Sequence, residues 1–285
     1  MKFEIRKELS SSHVMDLKTF SGLPIEMDEG MNLVYPHTVR VKQMTARTCA
    51  EMLPFLQSEN VTTPQNTIYR VYHEVAMMDD TESIQKTGLR YDLTAIQAGV
   101  FHFREGEDEF FRTAGHYHPR IAEIDYPEVY EVLAGRGRWI IQKYGAEPSL
   151  LEEVYLVEAG PGEKICIPPN FGHITINAEN APLIISNVIK GTVGHNYRPF
   201  QELKGGGYRL LASRDPNMIE IERNGNYRSI PDLLKLKPKK DWYHGYFNPV
   251  YRTLATGPEQ LVFLENPKSY NKEFFAIDRL YSEIK

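Results

Sequence analysis

Short apolar runs, broken by glycine, proline and charged clusters, set the rhythm of this 285-residue chain. Thr67-Ile-Tyr-Arg-Val-Tyr-His-Glu-Val75 is rich in β-branched and aromatic residues and predicts a strand. An acidic stretch from Met77 to Lys86 reads as a loop or short helix. Beyond it the pattern predicts strands at close intervals: residues 90–98, 110–118, 128–133, 137–143, 153–156, 164–167, 173–177 and 183–190. No helical period long enough for a βαβ unit separates them. The central part therefore predicts an all-β barrel or double-sheet roll.

The flanks differ. Residues 1–20 read as a surface arm with a short helix, broken at Ser10-Ser-Ser12, and the turn-rich text from Gly22 to Val41 leaves room for a short strand suggested by Val39, Val41 and Met44. Thr45 to Leu53 predicts a helix capped by Thr45 and ended by Pro54, with Cys49, Met52 and Leu53 on one side. Asn60 to Thr67 is a polar loop. Gly205-Gly-Gly207 reads as a flexible hinge, which divides the chain into residues 1–205 and an extension, 206–285. Strands are expected at 208–212 and 218–222, with a hairpin turn at Asn224-Gly225. Leu233 to Lys240 is basic, and the aromatic-rich remainder is expected to pack on the core or on a partner subunit.

Composition narrows the function classes. The formal charge of -5, from 33 basic and 38 acidic side chains, argues against a nucleic-acid binder. Cys49 and Cys166 are too few for a disulfide framework, and Cys166 sits in an apolar run that predicts a buried thiol. The charged N-terminus has no secretory apolar segment and no run of 18 apolar residues occurs, so the expectation is a cytoplasmic protein without a membrane span.

His116 and His118, one residue apart in Thr113-Ala-Gly-His-Tyr-His-Pro, point to one side of a strand. A carboxylate and a third histidine, His173, follow on predicted neighbouring strands. Three imidazoles and a carboxylate converging inside a barrel make a metal site. Both blocks resemble the cupin signatures, the second as Gly162, Pro168, His173 and Asn177 in register, with Asn170 where a glycine is usual. The spacing to Gly135 selects Glu128 as the carboxylate over Glu123, which has no glycine in register behind it, while Glu131 has the opposite strand parity. The fold implied is a cupin double-stranded β-helix (jelly-roll) barrel with N-terminal β/α additions and a C-terminal extension. Without a thiolate, the donor set suits one divalent ion per subunit, Fe(II) first, with Mn(II), Ni(II), Co(II) or Zn(II) as alternatives.

Roughly residues 20–205 resemble a narrower group, the cupin-type glucose-6-phosphate isomerases best known from archaea. The likeness rests on Thr113-Ala-Gly-His-Tyr-His, Glu128-Val-Tyr130, Ile167-Pro-Pro-Asn-Phe-Gly-His173 and, above all, Gly194-His195-Asn196-Tyr197. Upstream, Ile68-Tyr-Arg-Val-Tyr72 and Thr94 before Gly99 also match. The resemblance implies metal ligands His116, His118, Glu128 and His173, with Glu128, Tyr130 and His195 in catalysis. It implies phosphate binding by Thr94, Thr113, Gly115 and Tyr197, with a bulge at Gly115 that lets Thr113 point inward. Lys190, near the position where the family carries a tyrosine, is added as a candidate phosphate-binding charge. Three departures stand out: a long gap from His118 to Glu128, Ile189 or Lys190 in place of that tyrosine, and about eighty extra C-terminal residues.

The resemblance implies a homodimeric, metal-dependent aldose–ketose isomerase of glycolysis and gluconeogenesis, acting on glucose 6-phosphate and fructose 6-phosphate. Its partner would be a small phosphosugar, with no nucleic acid and no membrane. The competing readings are an isomerase for another sugar phosphate, an Fe(II) oxygenase, and a non-catalytic sugar-binding cupin.

Overall fold

The structure is a computed structural model that describes residues 14–104, 107–215 and 218–284. Most of the expected N-terminal arm, including Ser10–Ser12, lies outside the described residues. Two sheets form the body. One has six strands in the order Lys164–Ile167, Glu128–Ala134, Leu183–Lys190, Leu89–Ile96, Thr67–His73 and Gln43–Thr48, with every neighbouring pair antiparallel. The other runs Gly172–Ile176, Gly137–Tyr144, Leu151–Ala159, Leu234–Pro238 and Tyr281–Glu283, with a single parallel pair between the third and fourth.

From Glu128 onward the chain crosses repeatedly between the sheets. It leaves the first at Ala134, makes two strands of the second, returns for 164–167, crosses for 172–176 and returns for 183–190. This winding is the jelly roll that the strand spacing predicts. Gly135 makes the first crossing at φ 82°, where a Cβ would stand 2.9 Å from the Pro182 carbonyl oxygen. Tyr130 of one sheet and Trp139 of the other meet in the interior, with ring centroids 6.1 Å apart.

Both sheets are covered on their outer faces, which explains why their strands read as nearly continuous apolar runs. Ile140 and Gln142 of the five-stranded sheet lie beneath Gly206, Gly207 and Tyr227. The outer face of the other sheet receives helix Val250–Thr256, where Tyr91 and Tyr251 meet edge to face at 5.2 Å. Beneath that helix, Glu131 and Lys164 are cross-strand partners and form a buried ion pair at 2.8 Å. The second oxygen of Glu131 accepts a hydrogen bond from the Val250 backbone N–H at 2.7 Å. Glu131 thus faces away from Glu128, as its parity requires.

Several local expectations need correction. Residues 43–48 form a strand and not the start of a helix; the helix is only Cys49–Met52, followed by a 3-10 turn at Leu53–Phe55. Its cap is Thr48, which forms a reciprocal capping box with Glu51. Within 110–118 only Glu109–Phe110 is regular strand, and the rest is held by isolated bridges. Gly205–Gly207 is buried, donates from Gly207 N–H to Gln142 and accepts from the Tyr227 hydroxyl at Gly205, so it is packed backbone and not a hinge. Asn224 closes a turn with Tyr227, but the chain then runs on to meet Leu150 at Ser229 and makes no hairpin there. Val61–Thr62, inside the stretch expected as a polar loop, is a strand paired with Val100–Phe103, a strand that sequence reading passes over.

Candidate metal centre

Arg112 lies opposite Ile176 and His116 opposite His173, so four steps along one segment face three along the other. The extra residue is a bulge, centred on Gly115 at φ 77°. A Cβ there would fall 2.4 Å from Ile174 Cγ1, which leaves glycine as the residue that fits. The bulge resets the alternation, and Thr113, Gly115 and His116 all line the same cavity. Past it, Tyr117 and Asn196 exchange backbone hydrogen bonds as an antiparallel bridge. Their flanking residues therefore turn to the other side together: His116 and His118 from one segment, His195 and Tyr197 from the other. The His195 ring stands 4.2 Å from His116, edge to face.

The donor atoms of His116, His118, Glu128 and His173 lie within 4.8 Å of one another. Glu128 Oε2 is central, 3.2 Å from His118 Nε2 and 3.3 Å from His173 Nε2. Three buried donors, His116 Nε2, His118 Nε2 and Glu128 Oε2, have no hydrogen-bond partner, which burial normally forbids unless something else satisfies them. The atoms behind them are engaged. His118 Nδ1 lies 2.8 Å from the Tyr126 carbonyl, which fixes the tautomer that leaves Nε2 a lone pair. Asn187 donates to Glu128 Oε1 at 2.8 Å and leaves Oε2 free. Burial holds His116 well below its ordinary value and His173 at about 3. Burial opposes ionisation of Glu128, but His118 and His173 outweigh it and hold the carboxyl at about 2. Imidazole nitrogens gathered around an ionised carboxylate are a donor set that fits a divalent cation.

Glu123 sits apart, in a surface turn with its side chain 85% exposed and 3.4 Å from Arg120. The long loop after His118 closes on itself through hydrogen bonds between Ile121 and Ile124. Its Tyr126 packs on Ile189 and Val193. The Ile189 side chain thus serves as cover for the loop.

The cavity in front of the donors has a volume of about 300 Å³. Its floor is one face of the six-stranded sheet, read in alternate residues: Glu128 and Tyr130, Asn187, Asp92 and Thr94, then Tyr69, Val71 and His73, then Thr45 and Arg47. Tyr130, His195, Thr94, Thr113, Gly115 and Tyr197 all line it. Tyr130 places its hydroxyl 2.9 Å from His173 Nε2, and burial keeps that phenol well above its ordinary pKa. Burial also lowers His195, to about 4.

Lys190 does not reach this space. Its parity is opposite to that of Asn187 and Ile189, and it bonds Glu265 at 2.7 Å on the outer side. Sequence reading missed Arg47, Tyr69, Asp92 and Asn187. Strand parity with Thr94 marks Asp92, whereas Arg47 was concealed by the helix expected over its strand. A larger hollow, about 600 Å³, lies elsewhere beside Gln57, Arg104, Arg209 and Glu222 and holds none of the donor residues.

A family model described as glucose-6-phosphate isomerase (GPI) matches residues 46–227. The glucose-6-phosphate isomerase of Thermococcus litoralis is 30% identical over 121 residues, 42% of this chain and 57% of that protein. That of Thermococcus gammatolerans is 26% identical over 188 residues, 66% of this chain and 87% of that protein. Among solved structures, the oxalate decarboxylase of Bacillus subtilis is 15% identical, with a TM-score of 0.30 over 45% of this chain and 27% of that chain.

Proposed function

The chain belongs to the glucose-6-phosphate isomerase family, and from that premise we propose that it interconverts glucose 6-phosphate and fructose 6-phosphate. The observation that carries this reading is the cluster of four donors, of which His116, Glu128 and His173 line one cavity with His195 and Tyr197 of the Gly-His-Asn-Tyr segment. His116, His118, Glu128 and His173 would hold the ion, proposed as Fe(II). When bound, a divalent ion supplies Lewis-acid stabilisation of negative charge on the sugar oxygens.

The remaining steps fall to the chain's own groups. Glu128 is the proposed base for the hydrogen that moves between C1 and C2. A carboxylate held at about 2 is a weak base, so its contribution comes from position and not from strength. Tyr130 keeps its proton, which suits a hydroxyl that donates to a sugar oxygen. A neutral His195 can accept a proton from a sugar hydroxyl as the ring opens. Thr94, Thr113, Gly115 and Tyr197 are the proposed phosphate contacts; Lys190, committed to Glu265, is not.

A homodimer in the cytoplasm, serving glycolysis and gluconeogenesis, is proposed on the family resemblance. Among the described residues no helix is long and apolar enough to cross a membrane. The division into 1–205 and an extension, 206–285, is likewise proposed; the extension covers the outer sheet faces. Chelation tests the central claim. Treatment with EDTA should abolish turnover of fructose 6-phosphate, and adding back a divalent ion should restore it. Turnover that survives EDTA unchanged removes the metal from the mechanism. Consumption of oxygen with a candidate substrate would favour an oxygenase instead.

A further inference from the structure

A phosphate monoester brings between one and a half and two negative charges at neutral pH. Hydroxyls alone leave much of that charge without a counterion, and the chain as a whole is net negative. The cavity nevertheless contains a guanidinium to which the family resemblance gives no role. Arg47 lies on strand Gln43–Thr48 opposite Tyr69, and Thr45, two residues earlier, shares its cavity face. Its guanidinium carbon stands 5.2 Å from the centroid of the Tyr197 ring. The phenols of Tyr69 and Tyr197 are its close electrostatic neighbours, and Glu51 contributes a weaker pull. Among the described residues no carboxylate pairs with it, whereas Arg90 and Lys190 are bound to Asp92 and Glu265.

We propose that Arg47 receives the substrate's phosphoryl group, at the end of the cavity where Tyr69, Thr94, Thr113 and Tyr197 gather. This assignment rests on the isomerase reading above. The scale agrees. The step from the His116 ring to Tyr197 is 5.8 Å and that from Tyr197 to Arg47 is 5.2 Å, which keeps the guanidinium within about 11 Å of a metal-ligand ring. An extended hexose phosphate spans roughly 8–9 Å from C1 to phosphorus on ordinary bond lengths. A planar guanidinium also offers two parallel N–H donors to adjacent phosphate oxygens, which an ammonium does not. The Tyr197 ring beside the guanidinium favours the position that it takes in the cavity.

The test uses the metal-reconstituted full chain with Arg47→Gln and Arg47→Lys. Binding of inorganic phosphate is measured by calorimetry and turnover of fructose 6-phosphate by steady-state kinetics, with metal content and Tm reporting the fold. In Arg47→Gln the Kd for phosphate and the KM should each rise roughly ten- to hundredfold while kcat stays within a few-fold. Arg47→Lys should recover part of the loss. Unchanged phosphate affinity in a folded Arg47→Gln overturns the assignment, as does a wild type that binds no phosphate. A fall in kcat at constant KM overturns it too, by moving Arg47 to the chemical step. If the wild type binds phosphate through Arg47 but turns over no fructose 6-phosphate, the isomerase reading fails and the phosphate site stands.

Discussion

At the scale of single residues, the identity of the carboxylate ligand is the sharpest claim. Glu128 Oε2 sits among three imidazoles, whereas Glu123 is out in solvent beside Arg120. Glu128→Gln should therefore lower metal content at least tenfold in equilibrium dialysis, by replacing an anionic donor with a neutral one, and Glu123→Gln should leave it unchanged. The reverse pattern would mean that the register is wrong. This choice was legible because Gly135 stands at a fixed interval behind Glu128, where the backbone needs a positive φ. The phosphate-side charge was not legible, for two separate reasons. Lys190 is attractive on sequence proximity alone, but side chains alternate along a strand and its neighbours Asn187 and Ile189 take the inner face. Arg47 lies in a run of good helix formers, and only the Thr48-to-Glu51 capping box marks where the helix truly begins.

At the scale of elements, the bulge at Gly115 decides whether Thr113 and His116 can share a cavity. Gly115→Ala would force a Cβ into Ile174 in a left-handed backbone conformation. Strain and overpacking together should cost about 2–4 kcal/mol in urea unfolding. Metal affinity should fall as well, because His116 moves with the bulge; wild-type stability and affinity would show that the cavity does not depend on it. Strand existence was readable from β-branched and aromatic runs such as Thr67–His73. Residues 110–118 were harder, because their backbone is held by isolated bridges to 173–176 and 196 that local pattern cannot supply. The loop between His118 and Glu128 belongs to the same lesson. It holds His118 through the Tyr126 carbonyl and is itself anchored by the packing of Tyr126 on Ile189.

At the scale of the whole molecule, the C-terminal residues add two strands to the five-stranded sheet and lay helix Val250–Thr256 on the outside of the six-stranded one, where the Glu131–Lys164 pair is the joint. Burial pushes Glu131 up to about 7, with Lys164 pulling the other way. Removing Lys164 leaves the carboxyl buried without its cation, so Lys164→Met should cost about 3–5 kcal/mol at pH values where the carboxyl is forced to ionise. The sign of the pH effect follows from the raised value. Protonating Glu131 carries no penalty below its ordinary 4.5; in the wild type the penalty grows from there to about pH 7 and then levels off, whereas in Lys164→Met, with the lowering pull of Lys164 gone, it goes on growing above 7. The gap in stability between Lys164→Met and wild type should therefore stay nearly constant up to about pH 7 and widen from pH 7 to pH 9 in thermal unfolding; a gap that stays constant to pH 9 would show that the pair carries no such charge. The tail has a second consequence, for assembly. Among the described residues, the outer faces of both body sheets are partly roofed by the subunit's own chain, which leaves less bare sheet face for another copy. The subunit's open margin on the six-stranded sheet is Gln43–Thr48, where Met44 is 48% exposed. A twin seated along that margin would lie beside Arg47, so quaternary contact and anion capture would share a boundary.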